Sequence, residues 1–380
     1  IEIMEVRDVH HLITLFDKIS GHQTDLYKLE LKAYIEESVY SIPGLFSEDR
    51  RTVEVEAIRH FLLGDSHEIV IGASYHETSD DIGSPDLNNL GFLPPRRKDV
   101  TYDVYAQDQI EVIKDRLRLT AGIKAEKNEY SGTELQPTLR LAYTPSHKST
   151  LWATISRAVR IPTRLDEDFL IFAPKPAPAG TVIIKGSSEF RSETLVASEV
   201  GYRFQLTESL SLDTTAYHNE YRALRGLDAS VFPLLISNEG EGNTSGVELT
   251  LQWSPNDHWT HRFFYAYQHV DFNAKRGSSD TSIADANRND PRHQGMIHST
   301  WQVSDSLSVD ARLRNVSELP DRAVDGYTEL DLSASWRLTP NFNFKLLGQN
   351  LLDKRHPEFS TDSGEVEVHR SILLGIEWVY

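Results

Sequence analysis

The chain of 380 residues has no cysteine, which excludes disulfides, thiolate metal sites and cysteine nucleophiles. It also lacks any apolar run near the roughly 18 residues a membrane-crossing helix needs, so such helices are excluded. Positive charge is scarce: 39 Lys and Arg stand against 57 Asp and Glu, a formal net charge of -18. Nucleic acid is therefore disfavoured as a partner, because phosphate binding needs a basic footprint. Ile1-Glu2-Ile3-Met4 is not a basic n-region followed by an apolar core, so no signal peptide is read. No GxSxG elbow or comparable nucleophile motif occurs, and the expectation is a protein that is not an enzyme. The 15 histidines form no HExxH pair, and no metal site or cofactor is assigned. The mean hydropathy of -0.42 looks soluble, yet it permits a transmembrane β-barrel, in which only alternate residues meet lipid.

What the sequence does contain is alternation. Roughly seventeen strand-like segments follow one another, most of about 10–14 residues; soluble strands typically run about 5–6 and spanning strands about 9–11. In 26–36, Tyr27, Leu29, Leu31, Ala33 and Ile35 oppose Lys28, Glu30, Lys32 and Glu36. In 116–126, Leu117, Leu119, Ala121, Ile123 and Ala125 oppose Arg118, Thr120, Lys124 and Glu126. Segments 246–254, 307–314 and 328–338 repeat the pattern. The final stretch puts Ile372, Leu374, Ile376, Trp378 and Tyr380 on one face, apolar throughout and aromatic at its end. A soluble sandwich with one wet face also alternates. Its strands are shorter, however, and its polar face seldom carries so many charges of both signs. The expected fold is all-β, an antiparallel up-and-down transmembrane β-barrel, with 1–380 as one partial barrel domain.

The connections reinforce this. Tight turns are read at Gly64-Asp65-Ser66, Lys114-Asp115, Thr144–His147, Thr207-Glu208, Ser254–Asp257, Ser304–Ser306 and Thr339–Asn341. Between them lie longer loops at 37–50, 77–98, 161–192, 222–243, 272–291, 316–326 and before Glu365; only 128–134 is short where a long loop is due. Strict alternation of short periplasmic turns and long outer loops is the rhythm of outer-membrane barrels. With Tyr380 on the periplasmic side, an odd strand count puts Ile1 on the outer side. The sequence is then expected to start inside a larger barrel.

Four stretches resemble a known family. They are Leu151-Trp152-Ala153-Thr154-Ile155-Ser156-Arg157-Ala158-Val159-Arg160-Ile161-Pro162-Thr163, the segment Ser237-Asn238 through Gly246-Val247-Glu248-Leu249, Gly348-Gln349-Asn350-Leu351-Leu352-Asp353, and the terminal strand. In order and spacing they resemble the β-barrel domain of TonB-dependent outer-membrane receptors. The resemblance implies a 22-strand barrel, of which about 17 strands are visible, in the outer membrane of a Gram-negative bacterium. It implies active uptake of a scarce nutrient, most often a ferric siderophore, driven by TonB and its inner-membrane motor complex. The implied partners are membrane lipid and lipopolysaccharide, TonB, and a small-molecule metal chelate. Nothing in 1–97 resembles the family's plug domain. A passive porin of 16–18 strands and a barrel that only displays loops stay open as alternatives.

Candidate substrate-binding residues sit in two outer loops: Phe169, Phe172, Phe190 and Arg191 in 161–192, and Arg222, Arg225 and Phe232 in 222–243. Aromatics and arginines can hold a rigid anionic chelate by stacking and charge-assisted bonds. Arg118, Lys124, Arg140, Glu248, Arg312, Arg314 and Glu329 fall on lumenal positions, where they would face a plug. Asp285, Asn287, Asn289 and Asp290 are read as solvated loop residues rather than a calcium site. The Gly240-Glu241-Gly242 run precedes a strand, not a helix, so it offers a phosphate no helix N-terminus. One residue disturbs the frame: if Leu151, Ala153 and Ile155 face lipid, so does Arg157.

Overall fold

A computed structural model describes residues 5–18, 28–42, 46–83, 90–320, 323–361 and 364–378. The first strands are β1 (Glu5–Lys18), β2 (Lys28–Ile42), β3 (Phe46–Leu63), β4 (His67–Gly83), β5 (Leu90–Phe92), β6 (Arg96–Ile113), β7 (Leu117–Asn128), β8 (Gly132–Ser146) and β9 (Ser149–Arg160). A one-turn helix α1 (Arg164–Glu167) precedes β10 (Phe169–Phe172), β11 (Val182–Lys185), β12 (Glu193–Thr207), β13 (Leu210–Asp228), β14 (Leu234–Asn256) and β15 (Trp259–Ala274). The last strands are β16 (His293–Ser304), β17 (Leu307–Val316), β18 (Tyr327–Thr339), β19 (Phe342–Gln349), β20 (Arg355–Thr361), β21 (Gly364–His369) and β22 (Ser371–Trp378). Of these 22 described strands, β5, β10, β11, β20 and β21 belong to loops, which leaves 17 in the wall. Each wall strand pairs antiparallel with the next, from β1–β2 to β19–β22. This is the expected up-and-down barrel wall. Ile1, Val379 and Tyr380 lie outside the described residues.

The two faces follow from the period of two. Val104, Ile123, Leu139, Leu141, Leu151, Ile155, Val247, Leu332 and Leu346 point outward and are exposed, as is Val200 at 57%. The outward row of β22 is exposed as well, and it pairs with the outward row of β19: Leu374 with Leu346, Ile376 with Phe344, Trp378 with Phe342. Such a surface would aggregate in water and is stable in lipid. Aromatic rings border it. Trp259 stacks on Trp301 at 4.9 Å near the short turns, and Tyr75 packs on Tyr102 at 5.4 Å near the loop end. From Trp259 to Tyr267 along β15 is about 27 Å of strand, or about 20 Å of height at the usual tilt, close to the apolar band of a barrel.

The inner face takes its large rings over glycines. Tyr105, Trp152 and Tyr217 each lie across the ladder from a glycine, Gly72, Gly201 and Gly246. A Cβ on Gly201 would sit 2.2 Å from the Trp152 ring, so the strand is open where the indole lies down.

The seven tight turns fall at or within a residue or two of where the sequence puts them, with β8 running on to Ser146 and β14 to Asn256, but two long loops are corrected. Residues 37–50 are mostly the ends of β2 and β3, and 222–243 are mostly β13 up to Asp228 and β14 from Leu234. β14, with 23 residues, is about 75 Å long, well beyond a bilayer's thickness. Backbone groups beyond the membrane still need partners, and continuing the ladder supplies them. Arg157 is resolved by the end of another ladder. The β8–β9 ladder stops at Ser156, and Arg157, one residue above it, donates to the Leu135 carbonyl and to Glu134 Oε2 at 3.2 Å.

Candidate functional site

The outer loops are woven together by short apolar strands. Phe169-Leu170-Ile171-Phe172 of β10 lies between β5 and β11, with Phe169 opposite Phe92 and Leu170 opposite Lys185. In turn β11 pairs parallel with the start of β14, Ile184 opposite Leu234. Loops 77–98, 161–192 and 222–243 thereby become one cap. Phe190, 2% exposed, and Phe172 lie inside this cap rather than on its surface, and Phe169 packs on Phe92 at 5.4 Å. Gly186 allows a close approach: its N–H donates to the Phe169 carbonyl at 2.7 Å, and a Cβ there would lie 2.4 Å from the Glu167 backbone.

Beneath the cap sits a charge network centred on α1. Thr163 and Asp166 form a capping box: the Thr163 N–H donates to Asp166 Oδ2 at 2.9 Å and its hydroxyl at 3.1 Å. Asp166, 0% exposed, also accepts from Arg160 Nη1 at 2.9 Å and Arg225 Nη1 at 3.5 Å. Burial pushes its carboxyl up, but Arg160 and Thr163 outweigh this and hold it below the usual range. Arg160 also grips Glu193 at 2.8 and 2.9 Å. Arg164, itself buried, bonds Asp168 at 2.9 Å, Asp80, and the carbonyls of Pro94 and Pro95. Arg97 reaches Asp99, Glu167 and Asp168 at 2.8–3.1 Å and lies over the Tyr130 ring at 4.2 Å. Burial raises the Glu167 carboxyl despite Arg97.

One side chain joins the two candidate binding loops. Asn238 accepts the Arg191 N–H at 2.8 Å and donates to the carbonyls of Arg191 at 2.8 Å and Ala223 at 2.6 Å. Ala223 occupies the left-handed region, φ 58°, at a bulge in β13 where pairing slips between Tyr221 and Leu224. The bulge turns Arg225 inward, so its N–H donates to Glu193 Oε1 at 2.7 Å. The Arg191 backbone and the stretch of β13 that carries Arg225 are thus brought together through Asn238. Arg222 is not: it shares the outer face with exposed His218 and Glu220 and bonds Glu220 at 3.4 Å. Phe232 stands 71% exposed at the tip of the β13–β14 hairpin. Asp280 braces the same hairpin from the next loop, accepting from the Leu227 N–H at 2.6 Å.

The expected lumenal residues are all on the inner face, and most are paired across strands. Lys124 bonds Asp103 at 2.9 Å and Glu126 at 3.0 Å, and Arg140 bonds Thr154 at 3.3 Å. Arg312 pairs with Asp331, and Arg314 with Glu329 at 2.6 Å. Glu248 lines an open groove with Trp152, Glu199, Thr215 and Tyr217. Arg118 stays exposed near the turn end.

Residues 23–351 match the family model of the TonB-dependent receptor-like β-barrel. The chain belongs to that family. Among relatives of this TonB-dependent receptor barrel, the ferric enterobactin receptor of Pseudomonas aeruginosa is 22% identical over 292 residues, covering 67% of the chain and 37% of the relative. The ferrienterobactin receptor of Escherichia coli is 21% identical, covering 69% and 38%. The chain therefore spans under two-fifths of the length of these relatives. A mutant of the Pseudomonas aeruginosa ferric enterobactin receptor superposes with a TM-score of 0.78 at 16% identity, over 98% of this chain and 61% of that one. The copper transporter OprC superposes with 0.74 at 14% identity, over 99% and 66%. These likenesses establish the barrel fold.

Sequence reasoning missed Arg97, Arg160, Arg164, Asp166 and Asn238 as organisers of the cap. Thr163 followed by Asp166 is a legible capping box, and Asn238 falls inside a stretch the resemblance had already marked. Their partners come from other loops, so spacing alone could not supply them.

Proposed function

We propose that this chain forms the wall and outer loops of an outer-membrane receptor that captures an anionic ferric siderophore and admits it with energy from TonB. The observation that carries the reading is the Asn238 clamp, which ties the Arg191 backbone to the β13 bulge opposite Arg225, on a hairpin whose tip exposes Phe232. A catecholate chelate is flat-faced and anionic, and arginine forks with an aromatic ring suit it. On a chain with net charge -18, anion capture depends on such local positive groups. Phe172 and Phe190 serve as scaffold, and Arg222 belongs to the lipid-side rim, where lipopolysaccharide phosphate is its natural partner. The inner-face pairs around Lys124, Arg312 and Arg314 would meet a plug. The enterobactin receptors among its relatives support the siderophore class.

The test is titration of the chain in detergent with a ferric tri-catecholate, followed by quenching of its six tryptophans. Saturable binding is expected, weakened at least about tenfold in the Arg191→Ala/Arg225→Ala pair and unchanged in Arg222→Ala. Absent saturation, or equal affinity in the double variant, would overturn the reading.

A further inference from the structure

The last outer loop carries a feature that chelate capture does not use. Hairpin β20–β21 folds His356 and Glu358 onto the wall beside Glu329 of β18, and one ligand atom from each lies within 4.8 Å of the others. His356 is 7% exposed, and neither of its ring nitrogens has a hydrogen-bond partner among the described residues. Its Nε2 faces Glu358 Oε1 at 3.8 Å, and its Nδ1 faces Asp353 Oδ2 at 4.0 Å. The ring plane is fixed by Tyr327, stacked at 4.2 Å, whose hydroxyl donates to Glu358 at 3.0 Å. A buried imidazole with both nitrogens idle is uncommon, because each idle polar atom forfeits its solvation.

We propose that Glu329, His356 and Glu358 form a binding site for a divalent transition-metal ion of the zinc, copper or nickel type, which pins the last outer loop to the barrel wall. One imidazole and two carboxylates suit such borderline ions, whereas calcium and magnesium prefer all-oxygen shells. Ligand atoms around one tetrahedral zinc lie about 3.4 Å apart, so each group here needs to move by less than about 1 Å. Asp353 stands where a carboxylate would orient the ligating imidazole through its other nitrogen. Arg314 is the cation already present: it bonds Glu329 at 2.6 Å and also Glu358. Two carboxylates against one guanidinium leave a net negative charge, and the partly exposed Arg314 side chain can swing aside for the ion. Ion and guanidinium therefore compete for the same oxygens.

Calorimetry of the chain in detergent with zinc chloride, copper chloride and calcium chloride tests this. About one equivalent of zinc or copper is expected at micromolar affinity or better, and no calcium. His356→Ala and Glu358→Gln should each weaken binding at least tenfold. Arg314→Gln should tighten it several-fold, which tests the site even if the histidine variant misfolds. The copper complex should show one-nitrogen hyperfine structure, and amide exchange over 355–369 should slow with metal bound. Binding that survives His356→Ala, equal affinity for calcium, or weaker binding in Arg314→Gln would overturn the proposal.

Discussion

At the scale of single residues, neighbours one position apart respond to pH in opposite senses. Asp166 has its carboxyl held low, so its contribution is full above the ordinary value near 3.9 and is lost as the pH falls through the depressed one. Glu167 is held high by burial, so its contribution is full below about 4.3 and is lost as the pH rises through the raised value. Asp166→Ala should cost about 1–3 kcal/mol of cap stability at neutral pH, since it removes the acceptor of the Thr163 N–H and hydroxyl while Arg160 keeps Glu193. Glu167→Gln should be neutral or mildly stabilising there. Amide exchange over 161–192 at pH 7 and pH 4 measures both; equal losses in the two variants would contradict the assignment.

At the scale of elements, the cap is one unit because β5, β10, β11 and β14 share a ladder and Asn238 bridges two loops. Asn238→Ala should cost about 1–3 kcal/mol locally by leaving the Ala223 and Arg191 groups unmatched. Faster exchange should then appear in 187–193 and 221–226 together, with spanning strands unaffected; a change in one loop alone would contradict the clamp. This unit shows what the sequence could and could not convey. Strand faces and turns such as Ser304–Ser306 were legible, because period two and turn chemistry are local. The continuation of β13 and β14 into 222–243 was not, since glycine-rich polar strands outside lipid lose the apolar alternation. The pairing of Arg160 with Glu193 and of Asn238 with Ala223 was equally hidden, for it depends on which loops lie side by side.

At the scale of the whole molecule, the wall has a lipid face and a wet face, and substitutions should sort accordingly. Val200→Lys places a charge on the outer apolar band and should cost about 2–4 kcal/mol in urea unfolding from lipid vesicles. Thr215→Lys faces the groove with Glu199 and Glu248 and should cost far less. Comparable losses would mean that the faces are misassigned. Fold, faces and loop end all rest on one directional claim: the tight turns point to the periplasm and the woven loops to the outside. The absence of cysteine makes that claim easy to test with single cysteines at Ser230, in the β13–β14 tip, and Asp305, in a tight turn. In intact cells a membrane-impermeant maleimide should label Ser230→Cys and leave Asp305→Cys unlabelled until the outer membrane is permeabilised. Labelling of Asp305→Cys in intact cells, or protection of Ser230→Cys, would contradict the account.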